Sequence, residues 1–202
     1  MLKHFFHNSS ESDQVFLLLH GTGGRETDLL SVAGKVDVSL SVLGVRGDVI
    51  EDGRFRYFSR KIDGSIDEES IRAKTIDLLD FLNQAASIYP FNKKNIHLIG
   101  YSNGANMAVS LILHQPEIFK SAILLHPSHP LKSFKEARLD ALDIFITAGA
   151  RDQMVLPSEA VQLKSHLTNL GARVSLHMTD YGHEIRDSEI TEATKWWNKT
   201  FK

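Results

Sequence analysis

The chain has 202 residues, of which 42% are hydrophobic and 24% charged, and its formal net charge at pH 7 is −2. This composition is typical of a globular domain and excludes the basic footprint of nucleic-acid-binding proteins. The absence of cysteine excludes disulfides, thiolate metal sites and a cysteine nucleophile, and fits a reducing compartment. We find no secretory signal and no apolar run near the ~18 residues that span a bilayer. We therefore expect one cytoplasmic domain, residues 1–202, that binds neither nucleic acid nor membrane.

Short apolar runs alternate along the chain with longer segments of helical period. Runs that are apolar at nearly every residue suit strands buried on both faces, as in a parallel sheet covered by helices. The predicted strands are Val15–Leu19, Ser39–Val45, Ile96–Ile99, Ala122–Leu125, Ile144–Ala148 and Val174–Met178. Alternation with helices favours βαβ units. The sequence therefore predicts an α/β fold with a mainly parallel sheet of about six or seven strands and helices on both faces.

Four segments carry helical period and helix-end signals. The first follows Ser65-Ile66-Asp67-Glu68, a capping-box pattern with Ser65 as the N-cap, and ends at Pro90. The other predicted helices are Gly104–His114, Ser158–Leu170 and Glu189–Asn198. About twenty residues separate the strand ending near Leu125 from the next one, too few for a cap domain. We therefore expect no cap domain and an open site.

The pentapeptide Gly100-Tyr101-Ser102-Asn103-Gly104 is a G-x-S-x-G motif in an informative context. A predicted strand runs directly into it, and a helical segment with small residues leaves it. A serine there lies on a strained strand-to-helix turn that holds its Oγ out of the sheet. The flanking glycines avoid crowding of that turn. The sequence therefore predicts Ser102 as a nucleophile, the alternative being a surface serine in a glycine-bounded loop.

A serine nucleophile needs a base to take its proton and an acid to orient that base. In hydrolases with this strand-turn-helix arrangement the chain order is Ser, then Asp or Glu, then His. Asp152 and His183 follow in that order, each just past the carboxyl end of a predicted strand, where open α/β sheets bind ligands. Asp180 is an alternative acid. His114 and His166 lie on predicted helices, which favours packing or solvent-exposed roles.

A glycine-rich turn, Leu19-His20-Gly21-Thr22-Gly23-Gly24, follows the first strong strand. Such turns let backbone N–H groups approach a ligand closely. The turn lacks the Lys-Ser/Thr ending and the G-x-G-x-x-G spacing of phosphate loops. We interpret it as half of an oxyanion hole, formed by the N–H of Thr22 and the N–H of Asn103. His20 is interpreted as a structural residue of this turn.

These motifs together resemble the α/β-hydrolase superfamily. The elbow around Ser102, His20-Gly21, Gly149-Ala150-Arg151-Asp152 and Gly182-His183 resemble small bacterial phospholipase/carboxylesterase and dienelactone-hydrolase-like enzymes. The segments Arg54–Phe58 and Gly64–Glu69, the elbow extended to Asn106, and His126-Pro127 resemble carboxylesterases linked to hydroquinone and catechol resistance. The resemblance implies a cytoplasmic esterase without metal or cofactor. Dienelactone hydrolases use a cysteine nucleophile, so dienelactone is not an expected substrate.

The loop 46–60 follows the carboxyl end of a predicted strand and is a candidate pocket wall. The candidate substrate-binding residues, four from this loop and one from another strand end, are Arg46, Phe55, Tyr57, Phe58 and His126. Arg54 or Arg56 is a candidate partner for an anionic substrate group. The alternative is structural: the arginines pair with Asp48, Glu51 or Asp52, and the aromatic rings belong to the core.

The predicted function is a serine carboxylesterase that cleaves small, short-chain or aromatic esters. A thioesterase or lysophospholipase would use the same residues on another leaving group. A binding protein on a hydrolase scaffold is the alternative from outside enzymes, since a fold alone does not imply a reaction. The expected partner is a small ester. The Trp196-Trp197 pair is interpreted as either core or a homodimer contact.

Overall fold

A computed structural model describes residues 1–131, 137–140 and 142–202. Within these residues the chain forms nine strands and five α-helices. The strands are β1 (His4–His7), β2 (Val15–Leu19), β3 (Ser41–Val45), β4 (Val49–Glu51), β5 (Arg54–Arg56), β6 (Ile96–Tyr101), β7 (Phe119–Leu125), β8 (Asp143–Gly149) and β9 (Arg173–Thr179). The helices are α1 (Leu30–Val36), α2 (Glu68–Ile88), α3 (Asn103–His114), α4 (Pro157–Asn169) and α5 (Asp187–Phe201). The prediction that no cap domain follows β7 falls partly on residues 132–136 and 141, which lie outside the described residues.

The described strands form one large sheet in the order β1-β3-β2-β6-β7-β8-β9 and a separate β4-β5 hairpin. Every neighbouring pair in the large sheet is parallel except β1 with β3. The predicted α/β architecture with a mainly parallel sheet is therefore confirmed. Because parallel strands end at the same edge, the segments that follow β2, β6, β8 and β9 meet there.

Strand β2 shows why the apolar runs form buried central strands. Val15, Leu17 and Leu19 belong to the hydrophobic cluster that includes residues of α2, α3 and α4. The alternate residues, Phe16 and Leu18, belong to the cluster formed with α1 and α5. Successive strand side chains point to opposite faces, so a strand covered on both faces needs apolar residues throughout. Helices on both faces of the sheet, as predicted, follow from this pattern.

The sequence prediction missed β1, α1 and the β4-β5 hairpin. Strand β1 alternates between exposed and half-buried residues, which is typical of an edge strand. Helix α1 has seven residues, too few for a clear helical period. The hairpin could have been predicted from the sequence, because Asp-Gly is a preferred two-residue turn. In the structure, Asp52 and Gly53 both have the positive φ that this turn requires.

The predicted capping box at Ser65 is wrong. Helix α2 begins at Glu68, and its N-cap is Asp67, whose carboxylate accepts hydrogen bonds from the N–H groups of Glu69 and Ser70. The Ser65 hydroxyl instead donates to Asp63, two residues earlier. A carboxylate at the N-cap is also favoured by the helix dipole, which explains why Asp67 takes this position.

The tryptophan pair near the C-terminus packs within the protein. Trp197 is buried, its ring lies 5.0 Å from that of Phe16, and its Nε1 donates to the Asp37 carboxylate at 3.0 Å. Trp196 is partly buried against Phe145. The core interpretation of Trp197 is therefore confirmed, and the homodimer stays a prediction.

In the described part of the chain, no helix combines the length and apolar character needed to cross a bilayer.

Two glycines on helices provide a matched test of this packing. A Cβ at Gly104 would lie 2.0 Å from the carbonyl oxygen of Leu19, whereas a Cβ at Gly34 has no neighbour within 4 Å. We expect Gly104→Ala to lower the unfolding free energy by at least about 2 kcal/mol, because the backbone of β2 cannot move aside. Gly34→Ala should raise it by about 0.5–1 kcal/mol through helix propensity. Urea denaturation of both variants checks this; equal effects would contradict the described packing.

Candidate active site

Ser102 lies on a strained turn between β6 and α3. Its φ of 50° and ψ of −112° are unusual for a residue with a side chain. Its N–H donates to the carbonyl oxygen of Leu125, at the end of the neighbouring strand β7, at 2.9 Å. Added Cβ atoms at Gly100 and Gly104 would lie 2.8 Å and 2.0 Å from their nearest neighbours. The two glycines therefore allow the tight turn that holds Ser102 at the sheet edge.

Three predicted residues meet in one line of hydrogen bonds. The Ser102 hydroxyl donates to Nε2 of His183 at 2.8 Å, and Nδ1 of His183 donates to Oδ2 of Asp152 at 2.6 Å. The second carboxylate oxygen of Asp152 accepts from the N–H groups of Met154 and Val155 at 2.8 Å and 2.9 Å. With the acid fixed by two backbone donors, His183 is oriented with its free Nε2 lone pair towards the serine.

The surroundings of Asp152 favour the ionised carboxylate. Burial by itself would raise its pKa, but the Val155 N–H, the His183 ring and the Met154 N–H together outweigh it, so the pKa lies below its usual range. The alternative acid, Asp180, is exposed, and Nδ1 of His183 is bonded to Asp152. The hydroxyl of Tyr101 donates to the carbonyl oxygen of His183 at 2.9 Å and so steadies the loop that carries His183.

The glycine-rich turn after β2 lies beside the elbow. The Nδ1 of His20 donates to the carbonyl oxygen of Gly21, and its Nε2 accepts from the N–H of Gly47, so the buried ring is neutral and structural. Burial lowers the pKa of His20, which agrees with that state. The N–H groups of Thr22 and Asn103 have no hydrogen-bond acceptor among the described residues, so both are available to a ligand.

A cleft of about 550 Å³ opens over Ser102 and His183. One wall comes from the segment between β5 and α2, and the other from residues 128–130 and the start of α4. The lining residues that enter the arguments below are Arg56, Phe58, Arg60, Lys61, Asn103 and Glu159. Such a cleft accommodates a small substrate and leaves the serine within reach of it.

Among the predicted substrate-binding residues, Phe58 lines this cleft. Arg46 and Phe55 instead line a separate cavity of about 600 Å³, where Arg46 pairs with Glu26 at 2.5 Å and its guanidinium lies over the Phe55 ring. Tyr57 is buried, and its hydroxyl donates to the carbonyl oxygen of Val45. The expectation that Arg46, Phe55 and Tyr57 line the ester pocket is therefore corrected: none of the three lines the cleft over Ser102.

Comparison with known proteins agrees with this geometry. Residues 54–201 match the family model described as phospholipase/carboxylesterase. A protein of Bacillus subtilis (strain 168), MhqD, whose name describes it as a hydrolase, is 39% identical over 198 residues, which cover 98% of each chain. The chain belongs to the phospholipase/carboxylesterase family.

Solved structures of this family share the whole fold. The Bacillus cereus carboxylesterase is 42% identical and superposes with a TM-score of 0.96, covering 100% of this chain and 95% of that one. A carboxylesterase from Mesorhizobium loti is 31% identical with a TM-score of 0.86, covering 93% of this chain and 90% of that one. The predicted α/β-hydrolase fold is therefore confirmed, and the chain is an enzyme of the phospholipase/carboxylesterase family.

His126 does not line the substrate cleft of this phospholipase/carboxylesterase family member, so that prediction is corrected. Its side chain is buried behind the hydrogen-bonded line, with a positive φ of 51° at the end of β7. Its Nδ1 lies 3.5 Å from Oδ2 of Asp152, and its Nε2 lies 2.9 Å from Oε1 of Glu189. His126 thus lies between Asp152 and a second buried carboxylate, and its ring nitrogens make no hydrogen bond within the described residues.

Sequence reasoning missed Glu189. It is fully buried at the start of α5, where its other oxygen accepts from the N–H of Arg186. Burial would raise its pKa, but contact with His126, together with the Arg186 N–H, outweighs burial and lowers the pKa. His126, Asp152 and His183 place three potential metal-ligand atoms within 4.8 Å of one another. The short Asp152–His183 hydrogen bond already uses two of these groups in positioning the base.

The pairing of His126 with Glu189 predicts a stability effect. His126→Leu leaves the buried Glu189 carboxylate without its partner and should lower the unfolding free energy at pH 7 by about 3 kcal/mol. The double variant His126→Leu with Glu189→Gln removes the buried charge and should recover much of this loss. Chemical denaturation measures both. Equal stability of the single variant and the wild type would show that the contact carries no such energy.

Proposed function

We propose that the protein is a serine carboxylesterase in which Ser102 is the nucleophile, His183 the base and Asp152 the acid that orients it. One observation carries the proposal: the line of hydrogen bonds from Asp152 through His183 to a serine held on a strained turn. Each member is positioned by its own backbone contacts, as an activated nucleophile requires. Membership of the phospholipase/carboxylesterase family supports the same assignment.

The first half of the reaction forms an acyl-enzyme. Nε2 of His183 takes the hydroxyl proton as Ser102 Oγ attacks the ester carbonyl, and the resulting imidazolium is stabilised by the ionised Asp152. The imidazolium then gives its proton to the alcohol oxygen as the carbon–oxygen bond of the ester breaks. In the second half, His183 takes a proton from water, the hydroxide attacks the acyl-enzyme, and the proton returns to Ser102 as the acid leaves.

The negative charge on the carbonyl oxygen needs donors at the same edge of the sheet. We assign this role to the N–H groups of Thr22 and Asn103, which have no acceptor among the described residues. The Thr22 hydroxyl accepts from Nη1 of Arg56 at 2.9 Å, and this contact helps to fix the turn. The loss of one such donor typically costs about 3 kcal/mol of transition-state stabilisation.

Small esters are the substrate class that this cleft supports best. Its volume of about 550 Å³ fits a short-chain or aromatic acid and its alcohol. The resemblance to carboxylesterases linked to hydroquinone and catechol resistance supports aromatic esters and a role in the detoxification of quinone-type compounds. A chain without cysteine is compatible with action in the reducing cytoplasm.

The test is hydrolysis of 4-nitrophenyl acetate by the wild type and by Ser102→Ala. We expect turnover to fall to the uncatalysed background, since loss of the nucleophile in such enzymes costs about a millionfold. Ser158→Ala is the matched control, because Ser158 is exposed on α4 and does not line the cleft. It should keep the wild-type rate.

Equal rates for the wild type and Ser102→Ala would contradict the proposal. Failure of the wild type on simple esters, with turnover of an acyl-CoA or a lysolipid that Ser102→Ala abolishes, would favour a thioesterase or lysophospholipase. A folded wild type inactive on every ester and thioester would favour a binding protein on this scaffold.

A further inference from the structure

The cleft over Ser102 has an unequal distribution of charge. Three of its lining residues are cations on one wall, namely Arg56, Arg60 and Lys61. The two acidic residues of the lining each contact another group of the protein. Glu68 lies 3.5 Å from the guanidinium of Arg72, and a carboxylate oxygen of Glu159 accepts from the N–H of His129. The cationic wall thus holds one acid, Glu68, which it shares with Arg72 outside the lining, and Glu159 lies on the opposite wall.

Arg60 and Lys61 have no carboxylate partner among the described residues. Lys35, Lys74 and Lys195 each lie within 3.1 Å of a carboxylate, whereas Arg60 and Lys61 line the cleft without one in the described part of the chain. The backbone at Lys61 is held by a closed turn. The N–H of Lys61 donates to the carbonyl oxygen of Ser65, and its own carbonyl oxygen accepts from the N–H of Gly64.

The third cation, Arg56, is buried at the inner end of the same wall. Its guanidinium donates to the Thr22 hydroxyl and lies 3.3 Å from the partly exposed carboxylate of Glu51. Burial lowers the pKa of Arg56, and the charge of Arg60 lowers it further. Glu51 offsets part of the repulsion between the two guanidinium groups, since its carboxylate also accepts from the N–H of Arg60 at 3.2 Å. A substrate anion in the cleft would offset it further.

A second, independent donor lies in the same lining. Asn103 is almost fully buried, and its Oδ1 accepts from the N–H of Tyr57 at 2.8 Å, which sets the orientation of the amide. Its Nδ2 is buried with no hydrogen-bond partner in the part of the chain that the structure describes. Unsatisfied buried donors are costly, and a ligand acceptor would remove that cost.

We propose that this wall is a subsite for a carboxylate carried by the substrate. The favoured substrates are then esters with a second, anionic end: half-esters of dicarboxylic acids, or esters of hydroxybenzoates. A planar carboxylate suits a guanidinium because both of its oxygens can accept together. The proposal rests on the carboxylesterase function proposed above and adds the chemical class of its substrate.

Two pairs of esters test the subsite on the two halves of the substrate. For the acyl half, 4-nitrophenyl hydrogen glutarate is compared with 4-nitrophenyl pentanoate. For the alcohol half, 4-acetoxybenzoate is compared with 4-acetoxybenzamide. The readout is the ratio of kcat/KM for the anionic ester to that for its neutral partner. We expect at least one ratio to exceed about five in the wild type at low salt, and to fall in 0.5 M NaCl.

The variant is Arg60→Gln with Lys61→Gln, both exposed residues whose loss should not affect folding. It should lower the favoured ratio about fivefold or more, mainly through KM for the anionic ester. The control is Lys94→Gln with Lys199→Gln, which removes the same charge from exposed positions outside the lining. The control should keep the wild-type ratio.

Ratios at or below one in both pairs would overturn the subsite, as would an equal fall in the ratio for the variant and the charge-matched control. Those results leave the carboxylesterase function intact, since the neutral esters would still be cleaved in a Ser102-dependent way. Wild-type rates on all four esters no higher than those of Ser102→Ala would overturn the carboxylesterase function and the subsite with it.

Discussion

The backbone turn at Ser102 is held by contacts that leave no room for a side chain on either flank. Gly104 lies against the last carbonyl of β2, Gly100 lies against the start of α3, and the serine N–H is bonded to the end of β7. A residue with φ near 50° costs on the order of 1–3 kcal/mol, and the surrounding sheet has to overcome that cost. The packing of the core thus holds the strained turn in place and fixes the position of the Ser102 hydroxyl.

The rest of the site is arranged around that hydroxyl by groups that are themselves fixed. Asp152 is held by two backbone N–H groups, and His183 is held by Asp152 and by the Tyr101 hydroxyl, so little reorganisation is needed when His183 is protonated. Behind them, His126 links Asp152 to the buried Glu189 at the start of α5. The ring of His126 therefore lies between Asp152 and the start of the last helix.

The parts of the site that sequence could predict follow from one rule of parallel sheets. Ser102, Asp152 and His183 each follow a strand, and the carboxyl ends of parallel strands meet at one edge, so chain order and strand ends were enough. The pocket was not predictable in this way. Phe55 and Phe58 are three residues apart in one segment, yet the β4-β5 hairpin directs one to a separate cavity and the other to the cleft.

The direction in which a side chain points after a turn depends on the geometry of that turn. The pattern of apolar residues in the sequence does not predict this geometry. His126 illustrates this, because a positive φ at the end of β7 accompanies a ring buried against two carboxylates and outside the cleft. The burial of Glu189 could not be predicted for a related reason. Glu189 lies in the first turn of a helix, where an acidic residue is ordinarily exposed to solvent and stabilised by the helix dipole. Its burial is a property of the tertiary structure alone.

The claim that Ser102 is an activated nucleophile is tested most directly by its reaction with a fluorophosphonate. The proton acceptor and the strained turn together predict rapid loss of fluoride and one phosphonyl adduct, which mass spectrometry of the digested protein should locate on the peptide that contains Ser102. The chain has many other serines, which serve as internal controls. An adduct on another residue, or folded protein that stays unlabelled, would contradict the account.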